Sequence, residues 1–427
     1  LVENILKIKI YGGGLMYKDY KDFNYMLNKL QWENYIENQN HDLNMLCNKI
    51  LDCLDDMRKN KEIIFSRRYI RELIEKSREV SVLRNKLDDF DNYIDKGKIT
   101  KEELSEKICL DVIELMKLRD DKSIEMGFSS YMDAILKSDN MTYQMLTVLL
   151  NDYLDRNLER ANQIIEKYNI KWKTWFKDIE NIGNQLNKTD NNSVAIDAYK
   201  ILCKFAEKMD MLEVLEKVKI YYENNVCFAT KVAPDDIRIN VSEIKSIDDV
   251  RTLFHEFGHA ILYYYSSKNS DDLYFQITPC LDEVFAVIIE NIAPIITLSE
   301  NEIEKINEIN CLEYTRTAIS GLFELELWND SSLAEKLYTK YYSKLDIEIE
   351  NSKFWCLDSF RSIDCMYIYN YTLGQIASEH FKDLFYKKSF EEGYLYSEKY
   401  KDFSDSIKKI CNNINEIDYI DLLNFEK

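Results

Sequence analysis

The sequence predicts a mostly α protein, a large helical body with one short β element, and three observations carry that prediction. Glycine (10) and proline (3) are scarce in 427 residues while Leu, Ile, Lys, Glu and Asn abound, a balance that favours long helices over turn-rich sheets. Apolar residues recur at three- and four-residue steps along much of the chain, the period of an amphipathic helix. Alternation of apolar and polar residues marks "VCFATKVAPDDIRINV", the pattern of short strands. At 50.9 kDa the chain exceeds the size at which one core usually stops growing, so two lobes or one large helical body is expected.

The elements follow in order. "YGGGLM" places three glycines just before Met16. Gly-Gly-Gly can be encoded by a purine-rich ribosome-binding sequence, so residues 1–15 are expected to be a non-native or disordered leader. From 17 to about 169, stretches such as "LNMLCNKILDCLDDM" and "TKEELSEKICLDVIELMKL" read as packed antiparallel helices. Gly127 ends one of them, Ser129 or Ser130 starts the next, and a long helix spans about 142–168. The polar run "NKTDNNS" at 187–193 separates an amino-terminal helical region, 16–190, from the remainder, 191–427. Two strands near 226–232 and 237–241 flank a Pro-Asp-Asp turn. Ser246 with Asp249 then forms a capping box, so a helix starts near Ile247. Thr278 as N-cap and Pro279 as N1 start another, which is expected to end near Pro294.

Composition excludes several classes of function. A formal charge of -20 argues against nucleic acid as a partner, because phosphate affinity rests on concentrated Lys and Arg. The ten cysteines form no CxxC pair and several lie in apolar helical patterns, as buried thiols do in a reducing compartment. "VFAVIIENIAPIITL" is interrupted by Glu290 and Pro294, short of the ~18–20 residues a membrane helix needs. With no signal-peptide pattern at the amino end, a cytoplasmic protein without a membrane partner is expected.

"RTLFHEFGHAILYYY" holds two of the four histidines. At i and i+4 on a helix, His255 and His259 share a face and can present both imidazoles to one zinc ion. Glu256 lies about 100° round the helix, where it can reach a metal-bound water without ligating the metal. Composition alone would produce HExxH in only about 0.4% of such chains. His41 and His380, without such neighbours, read as ordinary surface or core residues. For the third ligand, a metzincin would need Gly and His where the chain has Leu262 and Tyr265. Thermolysin-like enzymes would need a glutamate where it has Thr278 and Pro279. The next helix, "PCLDEVFAVIIENI", carries Glu283 and Glu290 seven apart on one face, and "SSKNSDD" lets it fold back on the histidine helix. Glu283 then becomes the natural third ligand and Glu290 a carboxylate that orients an imidazole. Solvent-facing charges are the alternative, but so apolar a helix is buried, and buried carboxylates require partners.

These motifs resemble the oligoendopeptidase F family of zinc peptidases, relatives of thimet oligopeptidase, in which HExGH is followed after a similar gap by E-x(6)-E, here "EVFAVIIE". "GFSSYMDAIL", "IRINV", "RTAISGLFELEL" and the Tyr-rich "YIYNYTLGQIA" extend the likeness over about 101–385. The resemblance implies a zincin-like, gluzincin-type fold with a deep central cleft, one zinc per chain, and cleavage of short unstructured peptides, residues 191–427 carrying the catalysis. On residue type alone Tyr367 and Tyr371, at i and i+4, read first as an aromatic core stripe; the resemblance assigns at least one of them to the oxyanion of a tetrahedral intermediate. It also implies that substrate backbone pairs with an edge strand at Ile237, Ile239 and Val241. The chain departs from the family in being shorter, in Leu262, and in Arg361 where a histidine is usual. Arg361, always charged, is expected to support an oxyanion or a substrate carboxylate but not to shuttle protons. The implied enzyme is a metalloendopeptidase with Glu256 as general base. Its rivals are a catalytically weakened peptide binder, a peptidase dedicated to one peptide, and a metal-free helical scaffold.

Overall fold

The computed structural model describes residues 13–59, 67–88, 99–184, 197–223, 226–269, 271–387 and 396–424. The expected loop at 187–193 and residues 1–12 of the expected leader lie outside them, while residues 13–15 already belong to the first helix.

The amino-terminal helices are α1 (Gly13–Tyr35), α2 (Asn44–Lys59), α3 (Arg67–Glu75), α4 (Arg78–Asp88), α5 (Lys101–Glu125), α6 (Tyr131–Ser138) and α7 (Tyr143–Tyr168). Their ends are written in local chemistry. Thr100 and Glu103 make a reciprocal capping box at the start of α5, and Ser130 and Thr142 cap α6 and α7 through their side chains. Gly127, at φ +94°, follows the end of α5 and supplies the left-handed residue that commonly terminates a helix. After α8 (Trp175–Asn184) and α9 (Ala198–Lys208) comes the sheet.

The β signal resolves into three strands: β1 (Val218–Tyr221), β2 (Phe228–Ala233) and β3 (Asp236–Asn240), in the order β1-β3-β2. β2 and β3 form the expected hairpin, and β1 pairs with β3 in parallel, with Ile220 opposite Ile239. β1 was not foreseen, since a four-residue strand directly after a helical turn is too short to display a period of two. Its presence corrects the expected substrate edge. β3 is the middle strand, paired on both sides, and Ile237, Ile239 and Val241 are buried. These residues are core, and their backbone is not open to a peptide.

Beyond the sheet lie α10 (Ile247–Asn269), α11 (Pro279–Thr297), α12 (Glu300–Asn329), α13 (Ala334–Tyr342), α14 (Ser359–Ser362), α15 (Tyr369–Lys387) and α16 (Tyr396–Asn412). α11 packs between α10 and α15, and its residues from Glu283 to Pro294 are all buried, as a helix that is apolar on every side must be. It continues through Pro294 to Thr297 rather than stopping before the proline. Pro294 lies in the last turn, so the bond it cannot donate is near the helix end. Thr297 Oγ1 donates to the carbonyl of Ala293 at 2.8 Å, and the Leu298 amide donates to that of Pro294 at 2.9 Å. α7 packs along α12, which ties the amino-terminal helices to the rest. Among the described residues, no helix is long and apolar enough to cross a membrane. None of the ten cysteines is in a disulfide, and five of them are buried.

Two glycines set how closely α11 is held. A Cβ on Gly258 of α10 would lie 2.8 Å from the Cα of Ala286, and one on Gly374 of α15 would lie 2.6 Å from the Cβ of Val287. Both distances are below van der Waals contact, so only glycine lets three helices meet here. Gly258 directly precedes His259, and Ala286 lies three residues after Glu283. Gly258→Ala is therefore expected to push the two helices apart, to destabilise the protein by about 1–3 kcal/mol and to weaken metal binding. Denaturant unfolding and chelator competition measure both; an unchanged metal affinity would show that this spacing does not set the site.

Candidate metal centre

α10 begins where the sequence places it. The Ser246 amide donates to Asp249 Oδ2 at 2.7 Å, and the Asp249 amide donates to Ser246 Oγ at 3.2 Å. Two turns later His255 and His259 bring their Nε2 atoms to 3.3 Å from each other. Glu283, in the first turns of α11, faces them, with Oε2 3.3 Å from His255 Nε2 and Oε1 3.9 Å from His259 Nε2. Among the described residues, these three form the cluster whose ligand atoms all lie within 4.8 Å of one another.

The outward-facing nitrogens are held by carboxylates. Glu290 Oε2 lies 2.8 Å from His255 Nδ1, and Asp282 Oδ1 lies 2.6 Å from His259 Nδ1. A carboxylate accepts from Nδ1 only when that nitrogen carries the proton, so with a cation in place of any Nε2 proton both Nε2 lone pairs aim at one place. Glu283 Oε2 is buried there without a hydrogen-bond partner. Three acceptors converging in a buried spot fit a cation. Zinc bonded to imidazole at about 2.0–2.1 Å in tetrahedral geometry sets its nitrogen ligands about 3.3 Å apart, the separation found here. The local field agrees. Burial disfavours a charged His255, yet Glu283 and Glu290 raise its pKa well above the ordinary value, and Asp282 raises that of His259 against the same opposition.

Asp282 was missed in the sequence, where it reads as an acidic residue favouring a helix amino terminus. Tyr263, one turn beyond His259, donates to its other oxygen at 2.8 Å. Glu290 is fixed in turn by Arg251 Nη1 at 2.5 Å and the Tyr314 hydroxyl at 2.7 Å. Burial alone would raise the Glu290 pKa, but Arg251 and His255 bring it down to about 2.

Glu256 is buried, and burial raises its pKa against the opposing pull of the two histidines. Such a carboxylate gains by taking a proton. Tyr367 and Tyr371 both reach the site, though not as one helical face. α15 begins at Tyr369, so Tyr367 lies in the preceding turn, after Met366 at φ +53°. The Tyr367 hydroxyl donates to Glu283 Oε1 at 2.6 Å, and the Tyr371 ring lies 6.3 Å from that of His255. Tyr371 also lines a cavity of about 260 Å³ that opens beside His255, with Thr252, Phe360, Thr317 and Arg316 on its walls.

Arg361 departs from expectation. The turn α14 directs it inward, where its guanidinium is buried against Glu324 and Asp358, each at 3.6 Å, the Tyr342 hydroxyl at 3.3 Å, and Ser320 Oγ. Its charge is matched in that core network. Oxyanion support from Arg361 is thereby overturned, because a buried guanidinium committed to these acceptors is not available to a substrate.

No family model and no curated protein matches the chain. Solved structures do. The M32 carboxypeptidase from Deinococcus radiodurans R1 is 10% identical with a TM-score of 0.63, over 92% of this chain and 90% of that one. Metallocarboxypeptidase 1 of Trypanosoma cruzi is 13% identical with a TM-score of 0.60, over 97% and 95%. The carboxypeptidase of Pyrococcus furiosus is 13% identical with a TM-score of 0.60, over 94% and 92%. At such identities the likeness is one of fold and does not single out the oligoendopeptidase F family: the chain has the mostly helical, zincin-like architecture of these metallopeptidases, nearly end to end.

Proposed function

We propose that the chain is a zinc-dependent peptidase of short, unstructured peptides. The observation that carries this reading is the convergence of His255 Nε2, His259 Nε2 and Glu283 on one buried point, with the carboxylate of Glu256 raised in pKa beside it. When bound there, zinc supplies a polarised carbonyl and an acidified water at neutral pH. Glu256 takes the proton of the attacking water and returns it to the leaving amine. Tyr367 and Tyr371 offer phenolic donors to the oxyanion. Asp282 and Glu290 hold both imidazoles in the tautomer that ligates. The ten cysteines, none in a disulfide, accord with a reducing compartment, and we place the protein in the cytoplasm.

Cleavage inside the peptide is the mode that the oligoendopeptidase F resemblance implies. One feature supports a second mode, removal of carboxy-terminal residues. Arg316 on α12 lines the cavity beside His255; its Nη2 pairs with Glu313 at 2.9 Å while its Nε is buried without a partner. A guanidinium on that wall suits a terminal carboxylate, and the likeness to carboxypeptidases accords with that mode.

The test presents one peptide, as free acid and as carboxy-terminal amide, to zinc-loaded protein and follows products by mass spectrometry. Internal cleavage of both forms supports the endopeptidase mode; loss of single terminal residues from the acid alone supports the other. No cleavage of either across a peptide library would overturn the enzyme reading in favour of a peptide binder.

A further inference from the structure

Resting on the peptidase reading, the structure assigns a positioning role to Arg71, on α3 in the amino-terminal part of the chain: it fastens the turn that aims Tyr367 at the metal centre. The turn between α14 and α15 belongs to no helix or strand, and Met366 holds a positive φ that a non-glycine residue keeps only where its surroundings enforce it. Arg71 provides that enforcement. Its Nη1 donates to the carbonyl of Cys365 at 2.9 Å and its Nη2 to that of Met366 at 2.6 Å, two acceptors matched by one rigid fork. The guanidinium also lies 5.8 Å from the Tyr367 ring centroid. Glu324 Oε1 accepts the Met366 amide at 2.6 Å. The residue that follows is Tyr367, whose hydroxyl reaches Glu283.

Two further arginines extend the grip. Arg84 Nε and Arg119 Nη2 both donate to the carbonyl of Ile363, at 3.2 and 3.3 Å. One turn along α3 from Arg71, Glu75 offsets this positive cluster. It receives Arg119 in bidentate fashion at 2.9 and 2.7 Å and the Tyr131 hydroxyl at 2.8 Å. Burial works against its charge, but Arg119 holds its pKa below the ordinary value. Arginines from α3, α4 and α5 thus set a turn 244 to 295 residues away in the sequence, and give the amino-terminal helices a part in the reaction.

The experiment is Arg71→Lys, which keeps the charge and loses the fork, made alone and with Tyr367→Phe. Arg71→Lys is expected to lower kcat roughly tenfold or more, since an ångström of misplacement can lose up to about a hundredfold, with KM and zinc content little changed. In the Tyr367→Phe background the same change should shift kcat by less than about twofold, because the hydroxyl it positions is gone. An unchanged kcat in the single variant, or an equal fall in both backgrounds, overturns the inference. Arg84→Ala, at a more exposed position, repeats the test should Arg71→Lys fail to fold. A crystal structure of the variant separates this claim from the peptidase reading. Tyr367 still on Glu283 overturns positioning whatever the activity, whereas inactive wild-type protein counts against the peptidase reading alone.

Discussion

Glu256→Gln is expected to leave one zinc per chain in place while peptide hydrolysis falls by roughly 10²–10⁴-fold, the contribution typical of a positioned general base. Glutamine preserves the shape of the side chain and its burial in α10, but it cannot take a proton. The proposed ligands are other residues: the imidazoles of His255 and His259 and the carboxylate of Glu283, oriented by Glu290 and Asp282. Loss of rate should therefore separate from loss of metal. Elemental analysis and turnover on the same preparation decide it. Wild-type turnover in a clean Glu256→Gln sample would sink the mechanism, and loss of zinc would show that the residue belongs to the coordination shell instead.

The cluster of His255, His259 and Glu283 was legible where helix geometry dictates it. Four-residue spacing places His255 and His259 on one face, and a seven-residue repeat does the same for Glu283 and Glu290 once their helix is known to be buried. The cap residues Ser246 and Thr278 fixed where both helices begin. Gly258 belongs with them in hindsight, since a glycine before the second histidine signals close helix contact. What could not be read depends on partners distant in sequence. Arg361 lies at the expected chain position, but its direction is decided by the buried Glu324 and by Asp358, both distant from the zinc motif in sequence, which pair with its charge. The strand β1 escaped notice because four residues show no periodicity. Its absence from the prediction turned a central strand into an expected edge and made Ile237, Ile239 and Val241 look available to a substrate. The arginines that hold the Tyr367 turn bind backbone carbonyls, and a carbonyl leaves no trace in a sequence.

Removing the Glu290 carboxylate as Glu290→Ala is expected to have the largest effect on stability and a clear one on metal binding. The side chain is 4% exposed and serves Arg251, the Tyr314 hydroxyl and His255 Nδ1 together. Without it the Arg251 guanidinium keeps Asp248, at 2.8 Å, but loses its buried counter-charge. Breaking one half of a buried ion pair destabilises by about 3–5 kcal/mol, mostly through the charge left behind. The same carboxylate fixes the tautomer of His255, and loss of such a partner typically lowers metal affinity about 10–100-fold. The two effects are separable. Denaturant unfolding of metal-free protein reads the loss of the buried Glu290 contacts, of which the Arg251 pair is the charged one, and chelator competition on folded protein reads the effect on the metal. Replacing Arg251 as well, in Arg251→Met/Glu290→Ala, should recover much of the stability, because the pair is then removed rather than broken, but none of the metal affinity. If the double variant regained both, Glu290 would act on the metal only through the packing of α10 against α11; if it regained neither, the buried pair would not be the source of the instability.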